Sequence, residues 1–192
     1  MPRFMELEAA HHAVGGQGRG RRYVTEQINR SCIMMVAAQW QGYCRDLHSE
    51  AADVLAAAAH PATLQVPIRM ALTSARRLDI GNADADDIGS DFGRLGMAFW
   101  DEVERLDKRN AQRKMRLRQL YAWRNSIVHE DGIHGKKVSL VAGTKPTLRW
   151  ARIWLAACGE LATQFDRAVA AYLTQLTGAA PWKRHSSSNV RA

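Results

Sequence analysis

The 192-residue chain has little that would tie it to a metal, a membrane or an oxidising compartment. Its three cysteines, Cys32, Cys44 and Cys158, are odd in number, far apart and set in apolar patterns, which predicts buried reduced thiols rather than a disulfide framework. Neither CxxC nor HExxH occurs. The adjacent pair His11 and His12 has no further ligand nearby, so no metal site is expected and no cofactor is implied. No run approaches the ~20 apolar residues of a bilayer span. The N-terminus, MPRFMELEAAHHAV, lacks the basic start and apolar core of a signal peptide. These absences predict a cytoplasmic chain without a membrane anchor. Alternating runs are scarce as well. Val138, Leu140 and Ala142, between Gly135 and Gly143, read as one short strand or extended loop within 133–146, too little for a sheet.

Helical periodicity is what remains. Thr25 is a fair N-cap, and apart from Gly42 neither glycine nor proline interrupts the chain until Pro61. Trp40, Cys44, Leu47, Ala51, Val54, Leu55 and Ala58 recur at three- and four-residue steps, which predicts a long helix over about 26–59. Arg45, Asp46 and His48 fall beside that stripe, so His48 reads as a surface or interface histidine. Pro61 and Pro67 bracket a turn, and Ile68, Leu72, Ala75 and Leu78 mark a short second helix. The Asp-rich segment 81–90 reads as a loop. Ser90 or Asp91 would then cap a helix carrying Phe92, Leu95, Phe99, Val103 and Leu106. Whether that helix continues into a basic helix over 112–129 or breaks near Asn110 stays open. Thr147 opens a last long helix, with a stripe from Ile153 to Leu176 that Gly178 ends.

The sum is an all-α bundle of four to six helices, two long ones flanking shorter ones, in one domain over 25–178. Residues 1–24, glycine-rich and basic, predict a flexible segment, and 179–192 a disordered tail.

Charge is uneven. The chain carries a formal +8, with pI near 9.9, which suits an anionic partner. Between 105 and 124, eight basic residues face Asp107 alone; between 79 and 104, eight acids face Arg94 alone. The plain reading is two solvated faces that pair with each other. The other is an approach path for an anion.

The basic block leads into the most informative stretch, Leu117 to Gly132. Leu117, Leu120, Tyr121, Trp123, Ile127 and Val128 make an apolar helix pattern into which Arg124, Asn125 and His129 are set; Glu130, Asp131 and Gly132 end it. The polar trio either caps and solvates the helix terminus or forms an anion site. Five residues at ~100° each put Arg124 and His129 about 140° apart on a continuous helix. They converge if the helix ends at or just before His129, or if a second copy brings in the other motif. An arginine fork and an imidazole suit RNA phosphodiester cleavage without metal. The imidazole moves the 2′-hydroxyl proton, and the guanidinium meets charge on the phosphate.

The segment RNSIVH, Arg124 to His129, resembles the R-x4–6-H motif of the HEPN superfamily, with a polar residue after the arginine. The opening helix AAQWQGYCRDLHSEAADVL, the late motif and the long closing helix resemble the RiboL-PSP branch over about 25–178. The resemblance implies a metal-independent endoribonuclease acting as a homodimer, its two motifs facing across the dyad. Such domains serve as toxins or in RNA-directed defence, with an antitoxin or regulatory protein as a partner. It implies that Arg124 contacts the scissile phosphate, His129 acts as general base or acid, and Asn125 orients one of them or the substrate. Some HEPN toxins carry a tyrosine two residues after the histidine; here Asp131 stands there, so control by modification of that tyrosine is not expected. His134 reads as a loop residue. On the ribonuclease reading Arg113, Lys114, Arg116 and Arg118, with Lys136 and Lys137, are the candidates to hold the RNA backbone. The alternative is a non-catalytic HEPN-like module that binds RNA, nucleotide or a protein partner.

Overall fold

The two longest apolar stripes become the two longest helices. The computed structural model describes residues 2–14, 22–130, 133–134 and 136–182, and every regular element among the described residues is helical. In chain order these are α1 (Pro2–Ala13), α2 (Arg22–Ala57), a 3-10 turn (Ala62–Leu64), α3 (Gln65–Thr73), α4 (Arg77–Ile80), α5 (Ala85–Gly93), α6 (Phe99–Leu106), α7 (Asn110–His129), α8 (Lys136–Leu140) and α9 (Leu148–Thr177). Helices α2, α7 and α9 pack mutually as the centre of the bundle. α1 and α3 lie on α2, and α6 lies on α9.

The core is aromatic where α2, α5, α6 and α9 meet. Phe92 stacks on Phe99 at 4.2 Å between ring centroids, Phe165 meets Phe99 edge-on at 4.6 Å, and Trp40 covers Phe165 at 5.2 Å. Each such burial contributes about 2 kcal/mol or more. Leu117, Leu120 and Tyr121 carry α7 into the same core, and the Tyr121 hydroxyl donates to the Ala37 carbonyl of α2 at 3.0 Å. This anchors α7 one turn before its polar trio. Helix α9 is bounded as its sequence predicts: the Thr147 hydroxyl accepts from Trp150 N–H, and Gly178 ends it with φ 73°.

Several segments differ from the sequence reading. The first is the N-terminus: residues 2–13 are helical, because Phe4 and Leu7 dock on the core and Glu8 pairs with Arg152 of α9. Only two apolar residues carry that packing, too few to show a period. α2 starts at Arg22. The expected helix from Ile68 to Leu78 is split at Ser74 and Ala75: Ser74 is extended and ends α3, and Ala75 has φ 51°. Leu78 of α4 is buried in the core, while Leu72 of α3 packs against it only in part. Within 81–90 the expected loop gives way to α5, because Asp84 accepts from the N–H groups of Asp86 and Asp87 and so caps a helix earlier than Ser90. Asp91 is instead buried inside α5, where its carboxylate accepts from Arg77 N and Leu78 N at 3.1 and 2.8 Å.

The break before the basic helix lies at Asp107, and Asn110 fastens it by donating from Nδ2 to the Val103 carbonyl at 2.7 Å. The segment read as extended within 133–146 contains α8 and a following turn; its buried positions are Val141 and Thr144, one turn apart, while Val138 is 54% exposed. His48 is a fully buried residue rather than a surface one. At the C-terminal end Trp182 packs against the core, so ordered packing extends past Gly178; residues 183–192 lie outside the described residues. The three cysteines are buried and free, and burial raises their thiols above the ordinary range, Cys158 to about 12.

Candidate functional site

Helix α7 runs unbroken to His129, and Glu130 ends it in the left-handed conformation at φ 53°. Arg124 and His129 therefore stay about 140° apart around one continuous helix. Arg124 sits on the side of Leu117, Leu120 and Tyr121, one turn beyond the last of them. Its Nη1 donates to Asn125 Oδ1 at 3.0 Å. Within one protomer the arginine thus holds the asparagine's carbonyl end, leaving the Asn125 NH2 group as the donor that side chain can offer elsewhere.

The opposite side of α7 builds a cleft. Ala122, Asn125, Ser126 and His129 follow the i, i+3, i+4, i+7 spacing of one helix face, and they form one wall. Ile133, His134 and Lys137 form the other, around a space of about 230 Å³. His129, His134 and Lys137 are solvent-exposed, and Asn125 is half-buried.

What holds the second wall in place is a set of side-chain ties from α7. Gln119, buried one turn earlier, donates from Nε2 to the Leu140 carbonyl at 3.0 Å. Trp123 Nε1 donates to Thr144 Oγ1 at 2.8 Å, and that hydroxyl donates to the Val141 carbonyl at 2.7 Å. Arg116 donates to Gln119 Oε1 at 3.1 Å and lies over the Trp150 ring, 5.1 Å from its centroid, so Gln119 is itself fixed. Gln119, Trp123 and His134 are the residues that sequence reasoning missed or passed over. The 122/125/126/129 face could have been found from spacing; the ties to the following segment follow no period.

The expected RNA-holding cations are placed unevenly. Arg113 has a side chain 12% exposed and pairs with Asp107 and Glu160, at 2.9 and 3.0 Å. Lys114 pairs with Glu104 at 3.0 Å and stands 4.6 Å over the Trp100 ring. Arg118 pairs with Asp86 at 2.7 Å, and Arg116 is engaged as described. The acidic and basic blocks thus meet through Asp86 and Glu104, the plainer of the two readings of charge. Lys137 lines the cleft; the Lys136 side chain and Asp131 lie outside the described residues. Among the described residues no group of three or more His, Cys, Asp or Glu is placed to hold a metal ion, and no helix is long and apolar enough to cross a membrane.

Comparison of the chain with protein-family models, with curated proteins and with solved structures finds no match.

Proposed function

We propose that the chain is a metal-independent endoribonuclease that works in the cleft at the end of α7, with His129 as its acid–base group. One observation carries the reading: Asn125 and His129, two of the three polar residues of the motif, share the helix face that lines this cleft. In the reaction the 2′-hydroxyl oxygen attacks the adjacent phosphorus, and the bond from phosphorus to the 5′ oxygen breaks. The products are a 2′,3′-cyclic phosphate and a 5′-hydroxyl. His129 takes the 2′ proton, or returns one to the leaving oxygen. The substrate supplies its own nucleophile, so a positioned imidazole and donors to the phosphate suffice.

Arg124 reaches a phosphate beside His129 from a second copy rather than from its own chain. A homodimer with motifs facing across a dyad meets that need, and the exposed end of α7, where Val128 is 44% exposed, leaves room for it. The HEPN resemblance extends the proposal to a toxin or defence effector in the cytoplasm, restrained by an antitoxin or regulatory protein. A second reading, a non-catalytic helical module, is favoured by the arginine's engagement with Asn125 and by the ion pairs along the basic run.

The test is cleavage of total RNA in EDTA by the wild type and by His129→Ala. The expected loss in the variant is about a hundredfold or more. Intact RNA with the wild-type protein, or equal cleavage by the variant, would reject the enzyme and leave the binding module.

A further inference from the structure

The cleft contains two cationic or ionisable groups that the six-residue motif does not include. His134 and Lys137 face Asn125 and His129 from the segment beyond the helix. Their position answers an electrostatic difficulty. The C-terminal end of a helix carries about half a negative charge, and Glu130 adds an exposed carboxylate at that end of α7. An anion beside His129 therefore needs positive charge from outside the helix. A lysine ammonium offers a full charge and three donors, and an imidazole offers one or two more. Asn125, its oxygen held by Arg124, offers N–H. Four side chains able to donate thus converge on about 230 Å³, below the ~300 Å³ at which drug-sized pockets begin, a space for a phosphate group and its immediate neighbours.

We propose that His134 and Lys137, with Asn125 and His129, form a phosphate-binding subsite within a single protomer, and that it holds the scissile phosphate of RNA. The second clause rests on the ribonuclease reading; the first does not. Arg124 is then a positioning residue for Asn125 in its own chain, whatever it does across a dyad. The grip on the substrate comes from the segment after the motif, not from the basic run of α7.

The experiment follows the imidazole ring signals of the full-length protein by NMR while uridine 3′-monophosphate, inorganic phosphate or a short 2′-O-methyl RNA is added. Single histidine variants assign the seven histidines. The His129 and His134 signals are expected to move together with one saturation curve, and the 2′-O-methyl RNA is expected to bind more tightly than inorganic phosphate. Lys137→Gln should weaken binding about tenfold, whereas Lys108→Gln, in the turn that precedes the far end of α7, should change it less than about twofold. Unmoved ring signals, or equal effects of the two lysine variants, would overturn the subsite. Inorganic phosphate binding as tightly as the RNA would overturn its assignment to an RNA phosphate. Titration retained by a protein that cleaves no RNA would reject the ribonuclease and keep the subsite. Cleavage retained without ring shifts would reject the subsite alone.

Discussion

His48 is buried beneath the bundle surface, and the chemistry of its neighbours fixes its protonation. Arg76 Nη1 lies 3.2 Å from Nδ1 and can only donate; the Asp91 carbonyl lies 3.0 Å from Nε2 and can only accept. The ring is therefore the neutral tautomer with its proton on Nε2. Burial pushes its pKa below the ordinary value. Arg76 and Arg94 push the same way, while the hydrogen bond to the Asp91 carbonyl and that residue's charge oppose them. Asp79 neutralises Arg76 from the other side. The unfolded chain takes up a proton at about pH 6.5, before the folded one does. Stability is thus fully present above that pH and falls as the pH drops below it, until the folded ring also titrates. Urea midpoints at pH 7.5, 6.5 and 5.5 are expected to show this decline, and His48→Leu to flatten it. Flattening stops short of abolition, because His11, lowered by burial and by the adjacent His12, contributes with the same sign. At neutral pH His48→Leu is expected to cost about 2 kcal/mol, since a buried guanidinium and a carbonyl each lose a partner. A midpoint in the variant that declines with acid as steeply as the wild type's would show that His48 is not the source.

At the scale of elements, the division between α5 and α6 depends on one close approach. Gly96 has φ 89°, and a Cβ built there would stand 2.6 Å from the Tyr172 hydroxyl, which donates to the Leu95 carbonyl at 2.6 Å. Gly96→Ala combines backbone strain with this clash and is expected to destabilise by about 3 kcal/mol. In a Tyr172→Phe background, denaturation should show a cost smaller by about 1 kcal/mol or more. An unchanged cost would assign the whole effect to the backbone. The same contact explains what sequence could not reveal. Phe92, Leu95, Phe99 and Val103 are buried, as their common stripe predicts, while Leu106, its fifth member, is 47% exposed at the end of α6. Steps of three and four look alike whether one helix carries them or two; the turn between is set by a tyrosine on α9. The candidate site divides in the same way. Arg124, Asn125 and His129 were legible from spacing, and so was their angular separation. The sequence marks Lys137 only as one of several cations for an RNA backbone and His134 only as a loop residue. Their meeting with Asn125 and His129 was not legible, because side-chain bonds from Gln119 and Trp123 to the following turn, rather than any periodicity, hold that segment against the helix.

On the scale of the whole molecule, a strongly basic chain keeps much of its charge occupied internally. Ion pairs from α7 reach α5 through Asp86, α6 through Glu104 and α9 through Glu160. Exposed pairs contribute at most about 1 kcal/mol each, but the sign of that contribution separates two pictures of the basic run. Were these cations an open surface for nucleic acid, removing one would relieve repulsion and stabilise the fold. Because Lys114 has both Glu104 and the Trp100 face, Lys114→Gln is expected to destabilise by about 1 kcal/mol at low ionic strength, and by less in high salt. A rise in thermal midpoint would contradict that pairing. The cleft, by contrast, has walls of unlike origin. One belongs to a helix whose other side is locked into the core, so its residues answer to the packing of the entire bundle. The other belongs to a short segment fastened by a few side-chain bonds, with Val138 and Lys137 facing solvent. Substitutions at its exposed positions leave the core untouched, whereas Val141 and Thr144 are its buried anchors. The chemistry of the cleft is in this sense partly separable from the fold: Ala122 of the helical wall is buried, while His129 on that wall and His134 and Lys137 on the facing one are exposed and can be rewritten for a different guest without entering the core.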